Sequence, residues 1–275
     1  MQTVKGAWRF LSILYFSIVC LVVACFHFPK VSHEQQQKLI RDYSRRILRA
    51  AGVKISTEGA LPSIEKEQKM DSLGLTVVSN HVSWLDIFSI DSVCPCHFVA
   101  KSEIAKWPIF GTIAQNIGTL FINRASRTAI VSLNKQIGED IENGEFIALF
   151  AEGTTTFGNE LLPLKSNFLA PAAMHGSEIQ PVIITYTSKG RPTKEMAFAG
   201  DVSLFGSLWN VVTTEDAGVT VHFLERISTV GLTRHEAGKQ CEQAMRAKLQ
   251  EIWGDQFKAT DPKAAALLAN AIKNG

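Results

Sequence analysis

Several absences narrow the reading of this chain before any motif is considered. Charge is not lopsided: 28 Lys and Arg stand against 26 Asp and Glu in 275 residues, whereas a general nucleic-acid binder carries a marked basic excess. Cysteine is scarce and odd in number, with five in all. Cys20 and Cys25 lie in an apolar run, and Cys94 and Cys96 occur in a Cys-Pro-Cys-His sequence with no second pair at metal-ligand spacing. Neither a disulfide framework nor a metal site is therefore expected, a reducing compartment fits, and residues 94–97 read as a turn entering a strand. No Gly-x-Ser-x-Gly elbow occurs, which argues against a serine hydrolase. Repeats and long low-complexity linkers are also missing. At 46% hydrophobic and 20% charged residues, the chain can build one substantial α/β domain plus an appendage.

The appendage is N-terminal. Residues 10–28 are almost wholly apolar, close to the ~20 residues that a bilayer core demands. Lys5 and Arg9 precede this run and Lys30 follows it, so flanking charge alone does not set an orientation. Val22-Val23-Ala24-Cys25 also has the form of a lipoprotein cleavage site. Residues 34–51 then repeat Leu39, Tyr43, Ile47, Leu48 and Ala51 at helical spacing, with Lys38, Arg41, Arg45, Arg46 and Arg49 on other faces. A basic amphipathic helix of this kind suits an anionic lipid surface, and the alternative is a helix packed on its own domain.

From residue 52 onward, short β-rich runs alternate with helical ones. Strands are expected at 53–57, 75–79, 97–100, 119–122, 146–150, 179–186 and 219–224, and helices at 129–142, 167–175 and 234–253. Thr233 with Glu236 forms a capping box for the last of these helices, and Gly254 ends it. Residues 58–74 read as an exposed loop and 262–272 as a short final helix. The fold class is an α/β sandwich with a mixed sheet, preceded by a membrane-associating helical hairpin, divided as residues 1–51 and 52–275.

The segment Asn80-His81-Val82-Ser83-Trp84-Leu85-Asp86 carries the chemistry. Positions five apart on one uninterrupted helix are turned by roughly 140°. His81 and Asp86 can therefore meet only if the histidine sits in a turn and the aspartate on the first turn of a following helix. A carboxylate that orients an imidazole makes a general base. Ser83 and Trp84 read as cap and packing residues.

Three later segments supply what such a base needs: Gly118-Thr119-Leu120-Phe121-Ile122-Asn123-Arg124 with Arg127, Phe150-Ala151-Glu152-Gly153-Thr154-Thr155-Thr156, and Ile179-Gln180-Pro181-Val182-Ile183-Ile184. With His81 and Asp86 these four ordered blocks resemble the glycerolipid acyltransferase family, whose best-known members acylate lysophosphatidic acid. Lys101-Ser102-Glu103 and Trp107-Pro108 fall between the first two blocks, as is common in that family. The resemblance implies acyl transfer from acyl-coenzyme A or acyl carrier protein to a lysolipid hydroxyl, first of all 1-acyl-glycerol-3-phosphate. His81 would be the base and Asp86 its partner. An acceptor site is implied at Arg124, Glu152, Gly153 and Thr154, with Lys101 helping to hold phosphate or oxyanion; an ion pair between Arg124 and Glu152 is the alternative. No cofactor and no metal are implied. The partners would be the lysolipid, the donor and the membrane surface, with the catalytic domain on the cytoplasmic side of the inner membrane.

Two positions depart from the pattern. Thr155 stands where many phosphate-accepting members carry arginine, and Ala151 where they carry proline. With Gly158-Asn159 and Leu162-Pro163-Leu164-Lys165-Ser166, this form of the third block resembles members that acylate lyso-ornithine lipid, so that acceptor stands beside the first. A thioester hydrolase and a lipid-binding protein without chemistry are the readings from other classes.

Overall fold

The computed structural model describes residues 2–62, 73–123 and 127–258. The first helix, α1 (Gln2–Phe26), is longer than the apolar run, because nothing before Pro29 interrupts helix formation and Lys5 and Arg9 are good helix formers. A short 3₁₀ turn leads to α2 (His33–Ala51), which opens on a capping box between Ser32 and Gln35 and closes on Gly52 at φ 76°.

Eight strands follow among the described residues: β1 (Lys54–Glu58), β2 (Thr76–Ser79), β3 (His97–Lys101), β4 (Leu120–Ile122), β5 (Ile147–Leu149), β6 (Ile179–Ser188), β7 (Arg191–Pro192) and β8 (Ala217–Phe223). The helices among and after them are α3 (Leu85–Asp91), α4 (Phe110–Asn116), α5 (Arg127–Glu142), α6 (Ala170–His175), α7 (Leu204–Thr213) and α8 (Arg234–Trp253). The expected strands recur within a residue or two. The expected helix at 167–175 divides into a 3₁₀ turn and α6, with Pro171 in the first turn of α6, where a missing N–H is tolerated. The Thr233–Glu236 capping box and Gly254 bound α8. Most of the expected 58–74 loop and all of 262–272 lie outside the described residues.

The sheet runs β1-β8-β6-β2-β5-β3-β4, with β7 pairing β6. β2 pairs in parallel with both β5 and β6, while β6 and β8 are antiparallel, so the sheet is mixed. Side chains alternate between two cores. Val77, Ala148, Val182 and Ile184 face one side, whereas Val78, Ile147, Leu149 and Ile183 face the other, as a period of two requires. The first core is closed by α1, α2, α3 and α7 through Ile13, Leu48, Leu85 and Val211. The second is closed by α5, α6 and α8 through Ile137, Ala172 and Met245.

The hairpin does not stand apart from this sandwich. Ile40, Ile47, Leu48 and Ala51 of α2 are buried, and α2 packs on both α1 and α3. The apolar stripe that suggested a lipid-facing helix thus faces inward, and what α2 leaves outside is mostly charge. Even that is partly engaged: Arg45 Nε donates to the Ser92 carbonyl at 2.8 Å, and Arg46 lies over the Tyr43 ring. Helix α1 packs on α2, α4 and α7, and its Arg9 donates to the Val212 carbonyl at 2.9 Å. The opposite side of α1 exposes Trp8, Leu11, Tyr15 and Val22.

Candidate active site

Strands β2 and β5 lie side by side, and both end at the same edge of the sheet. Residues immediately after each strand therefore meet there, at the carboxyl ends of parallel strands where α/β folds place ligands. After β2 come Asn80 and His81; after β5 come Phe150 to Thr156. The Asn80 side chain fixes the turn. Beyond Ser79 the β2–β6 ladder stops, and the buried Asn80 amide replaces the next rung, accepting from the Ile184 N–H at 2.7 Å and donating to the Ile184 carbonyl at 3.1 Å. The His81 backbone is held in turn by Glu152, whose Oε1 accepts the His81 N–H at 2.8 Å, and by Thr156, whose N–H donates to the His81 carbonyl at 2.8 Å.

Helix α3 begins four residues later and carries Asp86 in its first turn, the strand, turn and helix arrangement expected from the spacing. His81 Nδ1 and Asp86 Oδ2 are 2.8 Å apart. Asp86 is wholly buried. Its Oδ2 also accepts the N–H groups of Val82 at 2.7 Å and Ser83 at 2.9 Å, and its Oδ1 accepts the Tyr186 hydroxyl at 2.6 Å. A carboxylate with this many donors is held in one orientation. Burial, and then the Asp86 charge, push the Tyr186 phenol well above its usual range, so it stays protonated and donates to the carboxylate. The His81 ring stacks on Phe150, with centroids 4.0 Å apart at 12°. With Nδ1 committed to Asp86, Nε2 is the nitrogen left for the cavity that the ring lines.

That cavity has a volume of about 440 Å³. Its lining includes His81, Lys101, Gly153 and Thr154, together with apolar side chains from α1, α2, α3 and α4, among them Val23, Ile40, Ile87 and Ile113. The expected site residues thus divide. Lys101, Gly153 and Thr154 share the cavity with His81, and Gly153 takes φ 80°, where a Cβ would strike the Lys165 ammonium. Glu152 is 3% exposed and does not line the cavity; its Oε2 accepts the Leu162 N–H at 2.8 Å, so both oxygens are spent on the main chain. Burial raises its pKa to about 8. It buttresses His81 from behind. Arg124 lies outside the described residues, as does the side chain of Arg127. Thr155 lines the cavity with its hydroxyl turned to the Phe198 carbonyl.

Tyr186 was not singled out in the sequence, and Phe150 was read only as the start of the third block. Tyr186 and Asp86 are a hundred residues apart, and only the sheet order brings them together. At the Cys-Pro-Cys-His turn, His97 Nδ1 faces Asp140 at 3.2 Å and the two sulfurs are buried. No cluster of metal-ligating side chains occurs among the described residues.

Comparison with known proteins decides the family. A family model described as Acyltransferase matches residues 62–185. A lyso-ornithine lipid O-acyltransferase from Pseudomonas aeruginosa is 34% identical over 78% of this chain and 79% of its own. The chain belongs to the acyltransferase family. This acyltransferase is also 34% identical to a 1-acyl-sn-glycerol-3-phosphate acyltransferase from Neisseria meningitidis, over 70% of this chain and 72% of that one. A lyso-ornithine lipid O-acyltransferase from Brucella abortus is 32% identical over 81% of this chain and 86% of its own. The crystal structure of a 1-acyl-sn-glycerophosphate acyltransferase from Thermotoga maritima superposes with a TM-score of 0.68 at 19% identity, covering 95% of this chain and 100% of that one. The acyltransferase fold is therefore shared, and the chain is a lysolipid-type acyltransferase.

Proposed function

We propose that this acyltransferase moves a fatty acyl group from a soluble thioester, acyl-coenzyme A or acyl carrier protein, to the hydroxyl of a lysolipid at a membrane surface. The observation that carries the reading is the 2.8 Å pair of His81 Nδ1 and Asp86 Oδ2, with the His81 ring on the wall of a largely apolar cavity. A thioester is already activated, so the enzyme needs no nucleophile of its own. His81 Nε2 takes the hydroxyl proton as the oxygen attacks the thioester carbon, and Asp86 steadies the imidazolium that forms. The tetrahedral intermediate then collapses, breaking the carbon–sulfur bond, and the thiolate leaves with a proton from His81. Lys101 is a cation on the cavity wall suited to the developing oxyanion or to an acceptor phosphate. No cofactor or metal enters these steps.

The acceptor read first is 1-acyl-glycerol-3-phosphate, with Arg124 as the residue for its phosphate, since a guanidinium pairs with phosphate through two charge-assisted bonds. One observation favours lyso-ornithine lipid instead: Thr155, which replaces an arginine of the phosphate-accepting pattern, points its hydroxyl at the Phe198 carbonyl and brings no charge to the cavity. Losing a guanidinium contact costs about 1.5–3 kcal/mol. A competition assay with detergent-solubilised protein, both donors and both lysolipids separates the two. Phosphatidic acid as main product supports the first acceptor, and diacylated ornithine lipid supports the second.

The membrane assignment rests on α1, which makes up most of a candidate span, Thr3–Lys30, holding an 18-residue window of mean hydropathy 2.3. Residues 1–51 would hold the enzyme where lysolipid resides, with residues 52–275 carrying the chemistry and facing the cytoplasm, where the donor is found.

A further inference from the structure

Helix α3 carries two buried carboxyl groups, and the catalytic steps use only the first. Asp91 closes the helix five residues after Asp86, about 7.5 Å farther along the axis and roughly 140° round it. Asp86 is turned to His81, whereas Asp91 shares a face with Ile87 and Phe88, four and three residues before it, and these three line the catalytic cavity. An apolar residue is what that face calls for. Asp91 instead places a carboxyl group there, and the residue is 2% exposed. Its Oδ1 accepts the Cys96 N–H at 3.1 Å, the hydrogen bond that Asp91 makes among the described residues, so Oδ2 is left for the cavity. Burial pushes this carboxyl well above the usual carboxylate range, which favours the protonated form that both donates and accepts. Two buried hydroxyl side chains accompany it on the cavity wall, Ser17 of α1 and Ser44 of α2.

We propose that Asp91 is a specificity-determining residue whose carboxyl recognises a hydroxyl group carried partway along the fatty chain in the cavity, so that a hydroxylated chain is preferred to a plain one. This rests on the reading of that cavity as the seat of a chain during acyl transfer. A plain hydrocarbon lying along Oδ2 would shut a polar group away from water with nothing to bond, which costs free energy. A hydroxyl removes that cost, because it can accept from the protonated carboxyl and donate to it. An anionic substituent such as a phosphate or carboxylate fits worse, since a neutral carboxyl supplies no opposite charge. The bond to Cys96 does not account for the placement, as it engages Oδ1 and leaves the second oxygen on the cavity side.

The test measures binding of octadecanoic acid and of its hydroxylated forms, with the hydroxyl early, midway or late along the chain, to the full chain in detergent. One hydroxylated form is expected to bind about tenfold more tightly than the plain acid. The preference should vanish in Asp91→Ala and survive in Asp91→Asn, whose amide keeps an acceptor for Cys96 and still offers the cavity a polar group. Equal affinities in the wild type would overturn the proposal whether or not Asp91→Ala folds, and so would a preference that Asp91→Ala retains. Turnover gives a second reading. The ratio of kcat/KM for hydroxylated over plain acyl thioester is expected to fall about tenfold in Asp91→Ala; both rates falling by one factor would reduce Asp91 to holding its turn and overturn the proposal. His81→Ala is expected to keep the binding preference. If that variant remained active, the catalytic reading would fail, and the binding series would still report on Asp91.

Discussion

At the scale of single residues, Asp86 does two jobs with one carboxylate. Its Oδ2 ties together the turn by accepting from Val82, Ser83 and His81, and its Oδ1 is secured by Tyr186. Removing the phenol hydroxyl in Tyr186→Phe leaves Oδ1 buried without a donor. The carboxylate then loses one of the bonds that fix its orientation toward His81. A fall of about tenfold in kcat is therefore expected; an unchanged kcat would reduce Tyr186 to packing. Glu152 makes a different prediction. Its pKa stands at about 8 in the folded protein against an ordinary value of 4.5, because burial disfavours its charged form. Between those values the unfolded chain has lost a proton that the folded chain keeps, so this group's contribution to stability falls as pH rises through the window. Urea midpoints at about pH 5 and about pH 8 should show that fall in the wild type and a smaller one in Glu152→Gln, which cannot titrate. Equal slopes would mean the carboxyl is ionised throughout.

At the scale of elements, the turn after β2 depends on a side chain that acts as backbone. Asn80 completes the β2–β6 ladder with two hydrogen bonds where the main chain has stopped. Asn80→Ala leaves the Ile184 N–H and carbonyl buried and unpaired on that side, which costs about 1–3 kcal/mol for each group. Chemical denaturation is expected to show that loss together with a fall in kcat, because His81 is the next residue; stability lost with kcat intact would separate the clamp from the catalytic geometry. This region was the most legible in the sequence. The five-residue spacing of His81 and Asp86 admits little besides strand, turn and helix, and Thr233 with Glu236 announces α8 by local chemistry. The second glutamate was read less well. Glu152 looks like a ligand for an acceptor because it sits in a motif beside a glycine, yet its oxygens are used by His81 and Leu162, a pairing across ten residues and two segments that no local pattern reveals. Helix α7 escaped for the opposite reason: Gly206 interrupts it and it spans only Leu204–Thr213, too short for helical periodicity to separate it from a loop.

At the scale of the whole molecule, the hairpin that reads in sequence as an anchor is part of the sandwich. Leu48 and Ala51 are buried in the same core as Val77, Leu85 and Val221, and α1 and α2 supply part of the cavity wall around the substrate chain. Leu48→Ala should therefore destabilise the protein by about 2–5 kcal/mol, as for a leucine removed from any packed core, measured by denaturation in a non-denaturing detergent. An effect within measurement error would mean that α2 adds nothing to the stability of this core. The sequence pattern identified the amphipathic character of α2 but not the direction of its apolar face, because a helix that packs on its neighbours and one that lies on lipid share the same periodicity.

The most direct measurement follows a labelled acyl group from acyl-coenzyme A and from acyl carrier protein, with purified wild-type protein and His81→Ala, in the presence and absence of lysolipid. The label is expected in a diacyl lipid only when lysolipid is supplied, with turnover lower by a factor of about 10²–10⁴ in His81→Ala while its unfolding transition is unchanged. Label released as free fatty acid without any lysolipid, or undiminished transfer by His81→Ala, would contradict acyl transfer with His81 as the base.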